Sequence, residues 1–256
     1  MSEPVQVLRE GAVAILRLSR EEKRNALDLS MRAAIASAMT QLEQDEKVAV
    51  IVISGGDQVF AAGADLNLLV DKGAQEVADL DLGQYWAPVA RCSKPVIAAV
   101  SGFALGAGCE LAMMCDLIIA DQSARFGQPE VRVGIMPGAG GSQRLLRAVG
   151  KPVASLLLMT GTTITGERAA QLGLVSELVE EGSAMGRAMV LAQGIAGMPA
   201  KALRAIKRSL ALGADQSLEV ALALENREFL LLFDTQDKTE GMRAFLDKRA
   251  PQYEGK

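Results

Sequence analysis

The stretch KPVIAAVSGFALGAGCELAMMCDLIIA, residues 94–120, reads in order as a strand, a glycine turn, a helix and a second strand. Pro95–Val100 is a short apolar run of the kind found in strands buried on both faces, and Ser101-Gly102 ends it. Gly106-Ala107-Gly108-Cys109 opens a helix that runs through Met114, and Leu117–Ala120 resumes the strand pattern. The same order recurs on both sides. Upstream, Val48–Ser54 is broken by Gly55-Gly56-Asp57, and a loop runs through Phe60–Asp65, with Asp65 suited to cap a helix. Downstream, the glycine-rich segment Met136–Ser142 leads into a helix over Gln143–Val149. A recurring strand, glycine loop and helix predicts an α/β core.

Nearer the N-terminus, Val13–Leu18 alternates with the strand period, and Asn25–Asp28 turns the chain into a helix over Leu29–Glu43. After Ser183 strand signals vanish and helices dominate. A boundary near Gly197-Met198-Pro199 separates a core, residues 1–197, from a helical C-terminal region, residues 198–256.

Composition narrows the function. With 256 residues, 50% of them hydrophobic, the chain can bury a substantial core. A formal charge of −4 argues against broad nucleic-acid binding, though a local basic pocket for a phosphate stays open. No stretch approaches a membrane span, and the N-terminal MSEPVQVLREGAVAILRLSR has neither signal- nor transit-peptide character. Cys92, Cys109 and Cys115 form no CxxC pair, and their odd number suits a reducing compartment. The expectation is a cytoplasmic, soluble protein. The sequence contains no histidine, which removes Ser-His-Asp and Cys-His nucleophile systems and every histidine-ligated metal site. Proton transfer must then fall to carboxylates, Lys, Tyr or Cys, with carboxylates leading.

Two loops could aim backbone N–H groups at an anion: Ala62-Gly63-Ala64-Asp65, and Gly106-Ala107-Gly108 at a helix start. Either could equally be no more than a tight turn. Neither matches a phosphate cradle, and Leu111 stands where a dinucleotide fingerprint needs its third glycine. Two carboxylates stand out beside them. Glu110 sits in the first helical turn of an otherwise uncharged run from Val96 to Met114, and Glu130 ends Phe126-Gly-Gln-Pro-Glu130. Singly, the first could complement a helix dipole and the second could be a surface charge. A lone carboxylate in so apolar a run is costly without a task, and two nearby carboxylates split their pKa values.

FAAGADL (60–66), KPVIAAV (94–100), GAGCELAMMCD (106–116), FGQPE (126–130), GIMPGAGGSQR (134–144), AQLGLVS (170–176) and EGMRAFLDK (240–248) together resemble the ordered motifs of the crotonase, or enoyl-CoA hydratase/isomerase, superfamily. The resemblance spans nearly the whole chain. It implies an α/β spiral of stacked ββα units with a helical C-terminal trimerisation region, giving a homotrimer or a dimer of trimers. It also implies an enoyl-CoA hydratase acting on an acyl-CoA thioester, with no cofactor beyond the coenzyme A that the substrate carries. By the same likeness the amides of Ala64 and Ala107 form an oxyanion hole, and Glu110 and Glu130 hold the reacting water with Gly138 nearby. Glu110 is then the base toward water and Glu130 the acid toward C2. Lys23, Arg24 and Ala26, with Ala64, Asp65, Leu66 and Asn67, match coenzyme A-binding positions; Phe229 and Lys248 match positions that reach the coenzyme A of a neighbouring subunit.

The chain departs from the family pattern in places. Ala107 replaces a common glycine but keeps the N–H; Asn67 replaces a frequent lysine, which weakens one coenzyme A contact. Ser101 and Ser142 replace a common asparagine and threonine. Ala64-Asp-Leu-Asn67 with Leu105-Gly-Ala-Gly108 is similar to the bacterial hydratases that act on 2,3-dehydroadipyl-CoA. Two rival readings remain: a double-bond isomerase of the same superfamily, and a relative that binds coenzyme A or RNA without catalysis.

Overall fold

The computed structural model describes residues 3–256. An antiparallel hairpin of β1 (Val5–Glu10) and β2 (Val13–Leu18) leads to α1 (Leu29–Gln44), whose N-cap Asp28 accepts the Met31 N–H at 2.8 Å. Three successive turns of chain follow. The first holds β3 (Val50–Ser54), β4 (Val59–Ala61), α2 (Ala74–Asp79) and α3 (Gly83–Ala90). The second holds β5 (Val96–Val100), β6 (Phe103–Leu105) and α4 (Ala107–Met114). The third holds β7 (Leu117–Asp121), β8 (Arg125–Gly127) and α5 (Gly141–Thr160). Each turn gives one strand to a larger sheet and one to a smaller sheet, so the chain advances as a spiral of ββα units.

After α5 come β9 (Thr163–Thr165), α6 (Gly166–Gln171), β10 (Glu177–Val179) and α7 (Ala184–Ala196). The larger sheet runs β1-β2-β3-β5-β7-β10, parallel from β2 onward; the smaller runs β4-β6-β8-β9 with only β9 antiparallel. Alternate residues of the central strands serve opposite cores. Val50, Val52, Ile97, Ala99 and Ile119 pack under Ala188, Met189 and Ala192 of α7, while Ile51, Ile53, Val96, Ala98 and Val100 face the main core. Burial on both sides is why these strands read as unbroken apolar runs.

Three further helices close the chain: α8 (Ala200–Gly213), α9 (Leu218–Leu232), which packs on α8, and α10 (Gln236–Leu246). The last residues fold back over α10, where the buried Asp237 accepts the N–H groups of Glu254 and Gly255.

The α/β spiral expected from the motifs is present, with differences in detail. The strands of the smaller sheet have only three residues each, too few for a period to register, and β4 occupies part of the expected Phe60–Asp65 loop. Helix α5 continues to Thr160, beyond the expected Val149; Gly150, at φ 76°, interrupts it before Lys151 and Pro152 restart the helix.

Candidate active site

Two loops meet at the N-terminus of α4. Gly106, its N-cap, adopts φ 51° and ψ −124°, open to glycine and strained for any L residue. Its N–H donates to Gly127 O at 2.9 Å, and a Cβ on it would lie 3.8 Å from the Gly63 Cα. Gly63 is fixed in turn, since its carbonyl accepts the Leu27 N–H at 2.8 Å. Gly108 is needed for a different reason: a Cβ there would come within 2.2 Å of Ala61 O, so only glycine lets α4 approach β4 so closely. Among the described residues, neither the Ala64 nor the Ala107 N–H has an acceptor. For Ala107 this is the normal state of a first-turn amide, and the helix dipole adds positive potential at the same point.

Glu110 points from the first turn of α4 to the start of α5. Its Oε1 accepts the N–H of Ala139 and of Gly141, each at 2.7 Å, and only 2% of the residue is exposed. Burial pushes its pKa up; the two amides and the charges of Arg32 and Arg144 pull the other way. Glu130 follows β8. Burial, helped by the neighbouring charge of Glu110 and opposed by its own backbone amide, raises its carboxyl to about 7. The fully buried Gln128 lies beside Glu130, with its amide oriented to donate to both Glu130 oxygens at 3.0 and 3.2 Å. An amide can serve either protonation state, since its NH₂ donates to a carboxylate and its carbonyl accepts from a carboxylic acid. The structure thus assembles one carboxylate held by two amides, one poised near neutrality, and two unengaged N–H groups.

A family model described as enoyl-CoA hydratase/isomerase matches residues 9–256. The chain belongs to that family. It is 42% identical over 256 residues to the 2,3-dehydroadipyl-CoA hydratase of Escherichia coli (strain K12), covering 100% of both chains. It is 40% identical over 248 residues to the crotonyl-CoA hydratase of Syntrophomonas wolfei, covering 96% of this chain and 95% of that one. The crystal structure of an enoyl-CoA hydratase subunit I from Geobacillus kaustophilus HTA426 superimposes with a TM-score of 0.97 at 41% identity, covering 100% of both chains.

In this enoyl-CoA hydratase/isomerase family member, the segment carrying Lys23, Arg24 and Ala26 is stitched to the Ala64 loop. Ala62 N–H donates to Arg24 O at 3.0 Å, and the fully buried Asn25 gives its amide to the carbonyls of Gly55, Val59 and Phe60. Arg20 clamps the same turn through Ala26 O and both Asp28 oxygens. Lys23 and Arg24 are left exposed. Asp65 caps the short 3-10 turn Leu66–Leu68 by accepting the Asn67 N–H at 3.0 Å, and its Oδ1 also takes the Asn67 side-chain amide. Gly138 is exposed beside Ala139, in open space.

Phe229 and Lys248 stand apart from this assembly. Phe229 lies on α9, half-exposed, with its ring 5.0 Å from that of Phe233; Lys248 follows α10 at φ 56°, exposed. Among the described residues no hydrogen bond joins either side chain to the glutamates.

Among the described residues no group of three or more His, Cys, Asp or Glu side chains could hold a metal ion, and no helix is long and apolar enough to cross a membrane.

Sequence reasoning missed Gln128, Asn25 and Arg32. Gln128 was inside a quoted motif but has no charge to mark it. Asn25 does its work through carbonyls more than 25 residues away, which no local pattern reports. Arg32 did carry a signal: it falls on the buried face of α1 with Ile35, Met39 and Leu42, at helical spacing. A charge inside an apolar stripe needs a reason.

Proposed function

We infer that the protein is an enoyl-CoA hydratase, reversibly adding water across the double bond of a trans-2-enoyl-CoA to give a 3-hydroxyacyl-CoA. The observation that carries this reading is the pairing of Glu110 and Glu130 beside the free N–H groups of Ala64 and Ala107. Water attack at C3 moves charge onto the thioester oxygen, and two preorganised amides stabilise that enolate-like state. One such donor is worth about 2.7–4 kcal/mol. Glu110 takes the proton from water, while Glu130, raised to about 7, can hold the proton that C2 receives. Because the two titrate together, the roles belong partly to the pair. The reaction draws on no metal or redox group.

Lys23, Arg24 and Ala26, with Ala64–Asn67, form the coenzyme A-binding rim, where two exposed cations can meet phosphates. The region 198–256 serves assembly into a trimer or a dimer of trimers. Its exposed Leu218, Phe229, Leu231, Phe245 and Leu246 support this, being too apolar for a face left in water. Across such an interface Phe229 and Lys248 reach a neighbour's coenzyme A. The cytoplasm is the proposed compartment.

The test is loss of the enoyl thioester chromophore on addition of the enzyme to trans-2-enoyl-CoAs, with 3-hydroxyacyl-CoA identified as product. Migration of the double bond without water uptake would sink the reading in favour of an isomerase.

A further inference from the structure

Arg32 is a guanidinium with only 3% of the residue exposed and no carboxylate partner among the described residues. Its Nε donates to Leu27 O at 2.8 Å, and this is the one hydrogen bond it makes there. Its Cζ lies 4.9 Å from the ring centre of Trp86 on α3. Trp86 is itself buried, and its Nε1–H has no acceptor among the described residues. The Arg32 terminal nitrogens, like that indole nitrogen, donate to no acceptor among the described residues.

Burying a charge is costly unless something compensates it. The acidic groups that act on Arg32 are Glu110, Asp28 and, weakly, Tyr85. Asp28 is taken by Arg20 and the Met31 N–H, and Glu110 Oε1 by two backbone amides. Neither carboxylate makes an ion pair with Arg32. The position ties this unpaired cation to the active site. Leu27 holds Arg32 through its carbonyl and Gly63, next to Ala64, through its N–H. Helix α3, which carries Trp86, packs on α4, which carries Glu110.

We propose that Arg32, backed by Trp86, binds the distal carboxylate of an enoyl-CoA whose acyl chain ends in a second carboxylate. This rests on the hydratase reading and names its substrate class. Guanidinium and indole N–H groups without acceptors come together here, and their complement is an acceptor-only group. A planar guanidinium fork held on an aromatic face suits a carboxylate better than a point charge does. A methyl-terminated acyl chain would leave the buried cation unpaired. The 2,3-dehydroadipyl-CoA of the Escherichia coli relative's name is a compound of this class.

The experiment compares kcat/KM for 2,3-dehydroadipyl-CoA with that for trans-2-hexenoyl-CoA, of equal length but ending in a methyl group. Wild type is expected to prefer the dicarboxylic substrate. Arg32→Met should move the ratio roughly 10- to 100-fold toward the methyl-terminated one, with Arg32→Lys between. A ratio that Arg32→Met leaves unmoved, whether or not both activities fall, overturns the proposal and leaves Arg32 a support for Glu110. Should Arg32→Met not fold, inhibition of wild type decides: adipyl-CoA should bind at least about 10-fold tighter than hexanoyl-CoA, and equal binding overturns the assignment. Wild type that hydrates neither substrate defeats the hydratase reading itself. Wild type that hydrates hexenoyl-CoA as well as the dicarboxylic substrate defeats only the role of Arg32.

Discussion

Gly106 and Glu130 come from successive turns of the spiral, and a Cβ on the glycine would lie 2.9 Å from Glu130 Oε1. At φ 51° and ψ −124° that Cβ would also strain the backbone. Gly106→Ala should therefore displace the carboxylate and the adjoining Ala107 amide together. We expect kcat to fall on the order of 10²-fold, with about 1–3 kcal/mol of stability lost to strain. Steady-state kinetics and thermal melting check the two parts separately.

Glu110→Gln and Glu130→Gln should each reduce kcat by on the order of 10²-fold or more, with substrate binding changed far less. The double variant should fall well short of the summed losses, because the carboxylates act as a unit. Hydration at nearly the wild-type rate by folded Glu130→Gln would remove the acid role from that residue.

Glu130 also predicts two pH effects. As the acid toward C2 it must carry its proton, so kcat/KM should decline above about pH 7, and Glu130→Gln should abolish that limb. A carboxyl whose pKa rises from 4.5 unfolded to about 7 folded binds its proton more tightly in the native state. Its neutral form is fully favourable below the unfolded value, and stability is lost as pH rises through the folded one. Discounted for the solvent that screens this partly exposed carboxyl, Glu130→Gln should thus stabilise the protein by ~1–3 kcal/mol more at pH 8 than at pH 4, as read from denaturant midpoints.

Ala107 separates amide from side chain. Proline is tolerated at the first position of a helix, and Gly106 is in the mirror image of an extended conformation, which a glycine before proline can hold. Ala107→Pro should fold yet lose on the order of 10²–10³-fold in kcat through its missing N–H, while Ala107→Gly stays active. Equal activity in the two variants would show that this amide carries no developing charge.

The tail makes a prediction about assembly. Phe245 and Leu246 are 84% and 76% exposed in the single chain, which water would not leave uncovered, so sedimentation should give a trimer or its dimer. Lys248 stands at φ 56°, where glycine is at home, so Lys248→Gly should fold normally. It should raise KM for acyl-CoA roughly 5-fold or more at nearly constant kcat, and less with dephospho-CoA substrates. An unchanged KM would place Lys248 outside the coenzyme A site.

The sequence by itself determined the central strands, the start of α4 after its glycine turn, the Asp65 cap, and a chemistry limited to carboxylates by the absence of histidine. Those features are local: an apolar run, a cap or a missing residue type is complete within a few positions. The Ala64 loop could be named from motif likeness, but its meeting with Gly106 depends on Leu27, Gly63 and two strands separated by over 40 residues. Only the tertiary structure decided that Ala139 and Gly141 amides hold Glu110, that Gln128 lies beside Glu130, and that burial lifts Glu130 to about 7. The same holds for Arg32, whose spacing could say that it is buried but not that Asp28 and Glu110 are engaged elsewhere. A carboxylate's proton affinity and a cation's lack of a partner are set by desolvation and by neighbours across the fold, and these exist only once the spiral has closed.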